Sequence, residues 1–233
     1  MSRGRPEPSV RRAPVSPWVP VAVGAAAALL PWGWGPGRHV VTLVHEAGHA
    51  LVAVLTGRRL NGVRLHRDTS GLTTSVGRPR GPGMVATAAA GYLSPTALGL
   101  GMLATAALGS TAWALWIALA VVTGMLVFIR NWFGLLVVGL AALVVGYLVW
   151  RTDEGVQQLA VVALASFLLV GGPRTTVELW SSRRRSRSAT SDADVLARLT
   201  HLPAALWNAV FVVVTTAALL PAWHLLRGLD GLG

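Results

Sequence analysis

The chain has 233 residues, of which 53% are hydrophobic and only 12% are charged, whereas soluble domains carry about 25% charged residues. This composition indicates a polytopic membrane protein. Cysteine is absent, which excludes disulfides and thiolate metal sites, so any metal ion must be held by histidine and carboxylate groups. The net charge of +11 comes from arginines that lie between the apolar segments, a distribution that favours contact with anionic lipid headgroups over nucleic acid.

Residues 1–16 are predicted to form a basic tail, and the apolar segment 17–34 predicts a first transmembrane helix. Basic residues before an apolar stretch also occur in cleaved signal peptides. Here Pro20 and Pro31 interrupt the apolar run, and further apolar segments follow closely. We therefore interpret the segment as an uncleaved span.

The second apolar segment, 39–57, contains the sequence His45-Glu46-Ala47-Gly48-His49. Residues four apart share one face of a helix, so both imidazoles can bind one ion while Glu46 reaches the water beside it. This is the H-E-x-x-H pattern, in which two histidines bind Zn²⁺ and the glutamate is the general base on an activated water molecule. Three ionisable groups inside a span are costly, and a bound metal ion would explain them.

The polar segment 58–82 has alternating apolar and polar residues on both sides of the turn sequence 68–71, which predicts a β-hairpin. One interpretation is a solvated basic loop. The other is an exposed strand edge beside a cleft, able to pair with an extended peptide.

Five further apolar segments are predicted to span the membrane: 83–107, 112–129, 131–150, 156–172 and 204–226. Only Arg130 separates two of these segments, so a bent or re-entrant arrangement is an alternative there, and we expect six or seven spans. The basic segment 173–203 is predicted to be a flexible loop at anionic lipid. The transmembrane domain then covers residues 17–228 and leaves a short C-terminal tail, 229–233.

The arginines predict the orientation of the chain. If the N-terminus is cytoplasmic and seven spans alternate, all arginines except Arg38, Arg151 and Arg227 face the cytoplasm, as the positive-inside rule requires. We therefore expect a multi-pass plasma-membrane protein with a cytoplasmic N-terminus, hairpin and basic loop.

A catalytic zinc ion needs a third protein ligand and one open position. Residues predicted to lie outside, or in the N-terminal tail, are on the wrong side. Composition does not choose among the six candidates that remain: His66, Asp68, Glu178, Asp192, Asp194 and His201.

The motif at 45–49, inside a span of a small polytopic protein, resembles the site-2-protease type of intramembrane zinc metallopeptidase, and more narrowly its compact bacterial M-fifty-B-like branch. The resemblance runs from about His39 to Trp223. Three further stretches are similar to that branch, in the same order: Ala90-Gly91-Tyr92, Arg130-Asn131-Trp132-Phe133-Gly134, and Ser191 to Ala197 leading to Thr200 and Pro203.

The resemblance implies that the third ligand is an aspartate late in the chain. Asp192 is the matching position, and Asp194 is the alternative, although Ser191 and Asp194 also form the pattern of a helix N-cap. The resemblance further implies that Asn131 is a substrate-backbone or oxyanion donor, against the alternative of a polar cap at the end of a span. The Leu-Asp-Gly triplet that better-known members carry within a span occurs here only at 229–231.

We therefore expect an all-α membrane bundle with a small cytoplasmic β-hairpin, which uses Zn²⁺ to hydrolyse peptide bonds in membrane-embedded or membrane-adjacent protein or peptide substrates. Such substrates must unwind first, because a helix keeps its carbonyl groups in hydrogen bonds. One alternative is a metal-handling transporter, which would spread histidine or acidic residues over several spans. The other is a catalytically silent homologue acting as a membrane scaffold, which would have no need of Glu46.

Overall fold

The computed structural model describes residues 16–185 and 190–230. Nine helices and one hairpin follow each other in these residues: α1 (Trp18–Leu29), α2 (Pro31–Leu55), β1 (Arg59–Leu65), β2 (Gly71–Val76), α3 (Pro82–Ala107), α4 (Thr111–Phe128), α5 (Trp132–Arg151), α6 (Glu154–Arg185), α7 (Asp192–Thr200), α8 (Ala204–Ala217) and α9 (Leu219–Asp230). The expected helical fold with a small hairpin is confirmed. Of the two predicted tails, 1–16 and 229–233, residues 1–15 and 231–233 lie outside the described residues.

Four helical stretches of the described chain are long and apolar enough to cross a membrane: Thr111–Phe128, Trp132–Arg151, Glu154–Ser182 and Ala204–Leu229. Helices α1 and α2 pass the same test only together, and they make a fifth candidate if this pair, bent by 91°, is one span. Helix α3 has 26 residues, but its glycine, serine, threonine and proline residues lower its mean hydropathy. The expected number of six or seven spans is therefore not confirmed.

The predicted boundary between the first two spans was wrong. The glycine-rich segment 35–37 lies inside α2, and the chain instead breaks at Leu30, which is extended and is followed by Pro31 at the first helical position. Proline is favoured there because its fixed φ suits a helix start and its missing N–H needs no partner. Helix α1 has only 12 residues and is about 18 Å long, which is shorter than the roughly 30 Å hydrocarbon core.

Helix α1 runs beside α6 in the same direction. Its first residue, Trp18, packs on Trp223 of α9 with ring centroids 5.3 Å apart. At its other end, the guanidinium of Arg174 in α6 donates to the carbonyl oxygens of Ala28 and Leu29. The junction of α1 and α2 therefore lies beside the C-terminal half of α6.

This packing does not support the seven-span topology. That topology puts Arg38 on the outer side and Glu178 on the cytoplasmic side, yet Nη1 of Arg38 lies 3.6 Å from Oε2 of Glu178. Two side chains in contact cannot lie on opposite sides of a membrane. Helices α1 and α2 pass the test for length and hydropathy only as a pair, with a bend of 91° between them.

The predicted loop 173–203 is largely helical. Helix α6 continues through Pro173 to Arg185, and α7 follows at Asp192–Thr200, while 186–189 lies outside the described residues. The hydroxyl groups of Thr175 and Thr176 donate to the carbonyl oxygens of Gly172 and Pro173, each at 2.7 Å. The chain therefore stays helical past Pro173.

The hairpin is confirmed, and it is held by the end of α4. Strand β1 pairs antiparallel with β2, with Arg59 opposite Val76 and Leu65 opposite Gly71. On its other edge, Val63 of β1 forms a parallel bridge with Ile129, and the backbone N–H of Arg130 donates to the Val63 carbonyl at 2.9 Å. In the described part of the chain, the outer edge of β2 has no strand beside it.

Candidate metal centre

Three side chains bring their ligand atoms to one point. His45 and His49 lie one turn apart on α2, and Asp192 is the first residue of α7. The Nε2 atoms of the two histidines are 3.1 Å apart. Oδ2 of Asp192 lies 3.1 Å from Nε2 of His45 and 3.2 Å from Nε2 of His49. Ligand atoms bound to tetrahedral zinc at about 2.0–2.1 Å are about 3.3 Å apart. The three atoms therefore fit one zinc ion with a fourth position open.

Residues of α3 orient the two imidazoles. Nδ1 of the buried His49 lies 2.7 Å from the carbonyl oxygen of Thr87. With a metal ion bound, a proton on Nδ1 would donate to this carbonyl and would leave the lone pair of Nε2 for the ion. The His45 ring meets the ring of Tyr92 edge to face at 4.8 Å, and Tyr92 stacks on Phe211 of α8 at 5.2 Å.

Glycines allow α3 to approach this closely. A Cβ atom at Gly91 would lie 2.5 Å from Nε2 of His45 and would also overlap Nε2 of His49. On α2, beside His49, a Cβ atom at Gly48 would overlap the side chain of Ser94 in α3. Only a residue without a side chain fits at these two positions. The glycine in the stretch Ala90-Gly91-Tyr92 is therefore explained by its contact with the two histidines.

The two aspartates of α7 have different partners. Oδ2 of Asp194 accepts hydrogen bonds from the Ser191 hydroxyl at 2.6 Å and from the Ser191 backbone N–H at 3.1 Å, which closes a capping box at the start of α7. The carboxylate of Asp192, in contrast, lies against the two histidines. Burial raises the pKa of Asp192, but its hydrogen bonds with His45 and His49 lower it more, so the pKa lies well below its usual range and the group is anionic.

The other residues considered as third ligands lie outside this group. His66 and Asp68 are at the hairpin turn, where Asp68 accepts from the backbone N–H and hydroxyl of Ser70 at 3.0 and 2.7 Å. These bonds hold the pKa of Asp68 below its ordinary value. His201 ends α7 in the left-handed conformation, with φ of 60°.

Glu46 lies against the hairpin. It is 4% exposed, and its Oε2 accepts a hydrogen bond of 2.6 Å from the hydroxyl of Thr73 in β2. The turn of the hairpin is fixed to the same helix, because the Thr42 hydroxyl donates to the Thr69 carbonyl at 2.8 Å. Sequence reasoning missed Thr73, since only the docking of the hairpin on α2 brings it to Glu46.

Asn131 holds β1 and does not line the cleft around the metal group. Its Nδ2 donates to the Leu65 carbonyl at 2.7 Å, and its Oδ1 accepts from the Leu65 N–H at 3.2 Å. Both polar atoms of the amide are therefore used on β1. The predicted contact with substrate gains no support from this placement.

The metal group and Glu46 lie in a cleft of about 820 Å³, which is within the range of ligand pockets. Strand β2 forms one wall, α3 and α7 form others, and Arg38 and Glu178 lie at the α6 side. Oε1 of Glu178 accepts from Nε1 of Trp34 at 2.9 Å and from Nε of Arg174 at 3.1 Å. Sequence reasoning did not foresee this charged network, which ties α6 to the bend between α1 and α2.

The chain was compared with known proteins. The family model described as Peptidase M50B-like matches residues 18–222. Neither the curated proteins nor the solved structures gave a match.

Proposed function

The chain belongs to the Peptidase M50B-like family, and from this premise we propose that it is a zinc-dependent intramembrane endopeptidase. The observation that carries the proposal is the triangle of His45, His49 and Asp192, with edges of 3.1–3.2 Å and Glu46 beside it. Family and geometry support the same chemistry independently.

Each side chain of the site has one task in this proposal. His45, His49 and Asp192 hold the ion, which when bound supplies Lewis acidity that activates water near neutral pH and polarises a carbonyl. Glu46 accepts a proton from the attacking water molecule through its carboxylate. It then returns that proton to the amide nitrogen as the C–N bond breaks, so one water molecule is consumed for each peptide bond.

The outer edge of β2 is the proposed guide for the substrate. The other edge of the hairpin is already paired, since β1 bonds to residues 129–131, whereas Gly71, Leu72 and Thr73 line the cleft. An extended peptide that adds to the β2 edge obtains backbone hydrogen bonds, which compensate for those lost when its helix unwinds. Substrates are therefore membrane-embedded or membrane-adjacent segments that can become extended.

The cleft is proposed to open towards the cytoplasm. The hairpin lies beside the end of α4 and lines the same cleft as the later part of α6, and about half of the arginines belong to these segments. The positive-inside rule places such a region in the cytoplasm. In this proposal α1 and α2 form one bent element, and since Trp18 lies beside Trp223, α1 starts towards the opposite side. This proposal replaces the cytoplasmic N-terminus expected from seven spans.

The two alternative functions find no comparable support. In the described residues, the side chains able to hold a metal form one group, and not a path of groups across several helices as a transporter would need. A scaffold would have no use for a buried glutamate held beside that group.

The test uses the full-length protein purified in detergent. Bound zinc and the cleavage of a membrane-embedded substrate are measured for wild type, Glu46→Gln and His45→Ala. We expect Glu46→Gln to keep zinc and to lose about 10²–10⁴-fold in rate, and His45→Ala to lose zinc. Cleavage by Glu46→Gln at the wild-type rate, or a wild type that binds no zinc when zinc is supplied, would reject the proposal.

A further inference from the structure

We propose that Thr73 is a positioning residue for Glu46, so that the hairpin holds the general base as well as facing the substrate. This inference rests on the proposed role of Glu46. It adds a second task for β2, which belongs to a segment remote from the H-E-x-x-H helix in sequence.

The hydrogen bond between the two residues is short and part-buried. The Thr73 hydroxyl donates to Oε2 of Glu46 at 2.6 Å, and the same hydroxyl lies 3.2 Å from the backbone carbonyl oxygen of Glu46. A hydroxyl bond to a carboxylate is stronger than a bond between neutral groups. In this proposal Oε2 is held by Thr73, and Oε1 is the oxygen that exchanges the proton with water.

A second residue of β2 supports the same carboxylate. Gly71 and Thr73 are two apart on the strand, so they share one face. A Cβ atom at Gly71 would overlap Oε1 of Glu46 and would lie 2.6 Å from its Cγ. The strand therefore fits closely around Glu46, with a missing side chain at Gly71 and a hydroxyl at Thr73.

The neighbouring threonine provides a matched control. Thr74 lies on the opposite face of β2, and its hydroxyl donates to the Gly62 carbonyl within the hairpin at 3.1 Å. Replacing either threonine by valine removes one hydroxyl from the same strand with little change in shape. Only the change at Thr73 removes a bond to Glu46.

The experiment measures kcat, KM and bound zinc for Thr73→Val, Thr73→Ser and Thr74→Val in the full-length protein. We expect Thr73→Val to lower kcat by about 10–100-fold, part of the roughly 10²–10⁴-fold that proton transfer contributes, with KM within about twofold and zinc unchanged. Thr73→Ser keeps the hydroxyl and should restore kcat, and Thr74→Val should stay close to wild type. In a Glu46→Gln background, Thr73→Val should cause no further loss of kcat, because the amide of glutamine cannot act as the general base that Thr73 is proposed to position.

The inference and the proposed function fail in different ways. Wild-type kcat in Thr73→Val, together with an inactive Glu46→Gln, would overturn the role of Thr73 and leave the peptidase assignment intact. A loss of zinc in Thr73→Val, or equal losses in Thr73→Val and Thr74→Val, would also overturn it. If Thr73→Val does not fold, Gly71→Ala replaces it, with the same expected loss of kcat at unchanged zinc, and wild-type kcat in that variant counts against the inference.

Discussion

Gly91 of α3 lies directly against the imidazole of His45, so close that a single added methyl group would lie 2.5 Å from the nitrogen that faces Asp192. Both metal-facing histidines thus depend on a backbone position in another helix. The packing of α3 on α2 is part of the site for this reason, and it can be tested apart from the ligands themselves.

Gly91→Ala is expected to weaken zinc binding by at least about tenfold, the lower end of what neighbours of metal ligands contribute. The added Cβ must push the imidazoles or the α3 backbone away. The matched control is Gly101→Ala on the same helix, because a Cβ atom there meets nothing within 4 Å. Competition with a zinc chelator measures the affinities, and equal affinities of the two variants would contradict the prediction.

The two aspartates of α7 should separate in a paired experiment. Asp192→Ala is expected to lose bound zinc, since one of the three ligand atoms is removed. Asp194→Ala should keep zinc but lose about 0.5–2 kcal/mol of stability, because the capping box at Ser191 opens. Metal analysis and thermal unfolding in detergent give the two readouts, and zinc loss in Asp194→Ala alone would exchange the two roles.

The orientation can be tested directly, because the chain has no cysteine of its own. Single cysteines at Arg67 in the hairpin turn, at Leu108 after α3 and at Ser16 before α1 are each treated with a membrane-impermeant maleimide. In intact cells we expect labelling at positions 108 and 16, and labelling at 67 only after permeabilisation. Labelling of the Arg67→Cys variant from outside would reverse the proposed orientation.

Asn131→Ala should destabilise the hairpin without touching the metal group. The N–H and carbonyl of Leu65 both lose a partner, at a cost of about 1–3 kcal/mol for a buried polar group left unpaired. We expect a lower unfolding temperature, unchanged zinc and a raised KM, since β2 loses its support through β1. An unaltered unfolding temperature with lower kcat would instead favour the direct substrate contact inferred from family resemblance.

Local patterns in the sequence predicted most of the secondary structure. The hairpin followed from alternating residues around a turn, and the helices followed from apolar runs, because both depend on neighbours within a few positions. The predicted helix ends were wrong at two places where glycine or proline residues lie inside a helix. The segment 35–37 and Pro173 lie inside helices, because tertiary packing can override the local preference of glycine and proline.

By itself, the sequence determined the membrane character of the chain and the pairing of His45 with His49, because two residues one helical turn apart meet wherever the helix goes. The tertiary structure decided which distant groups join them. Asp192 and Asp194 both stand in the first turn of α7, and only the capping box and the approach of α7 to α2 distinguish them. Thr73 and Gly91 likewise reach the site through strand and helix docking, which no spacing along the chain encodes.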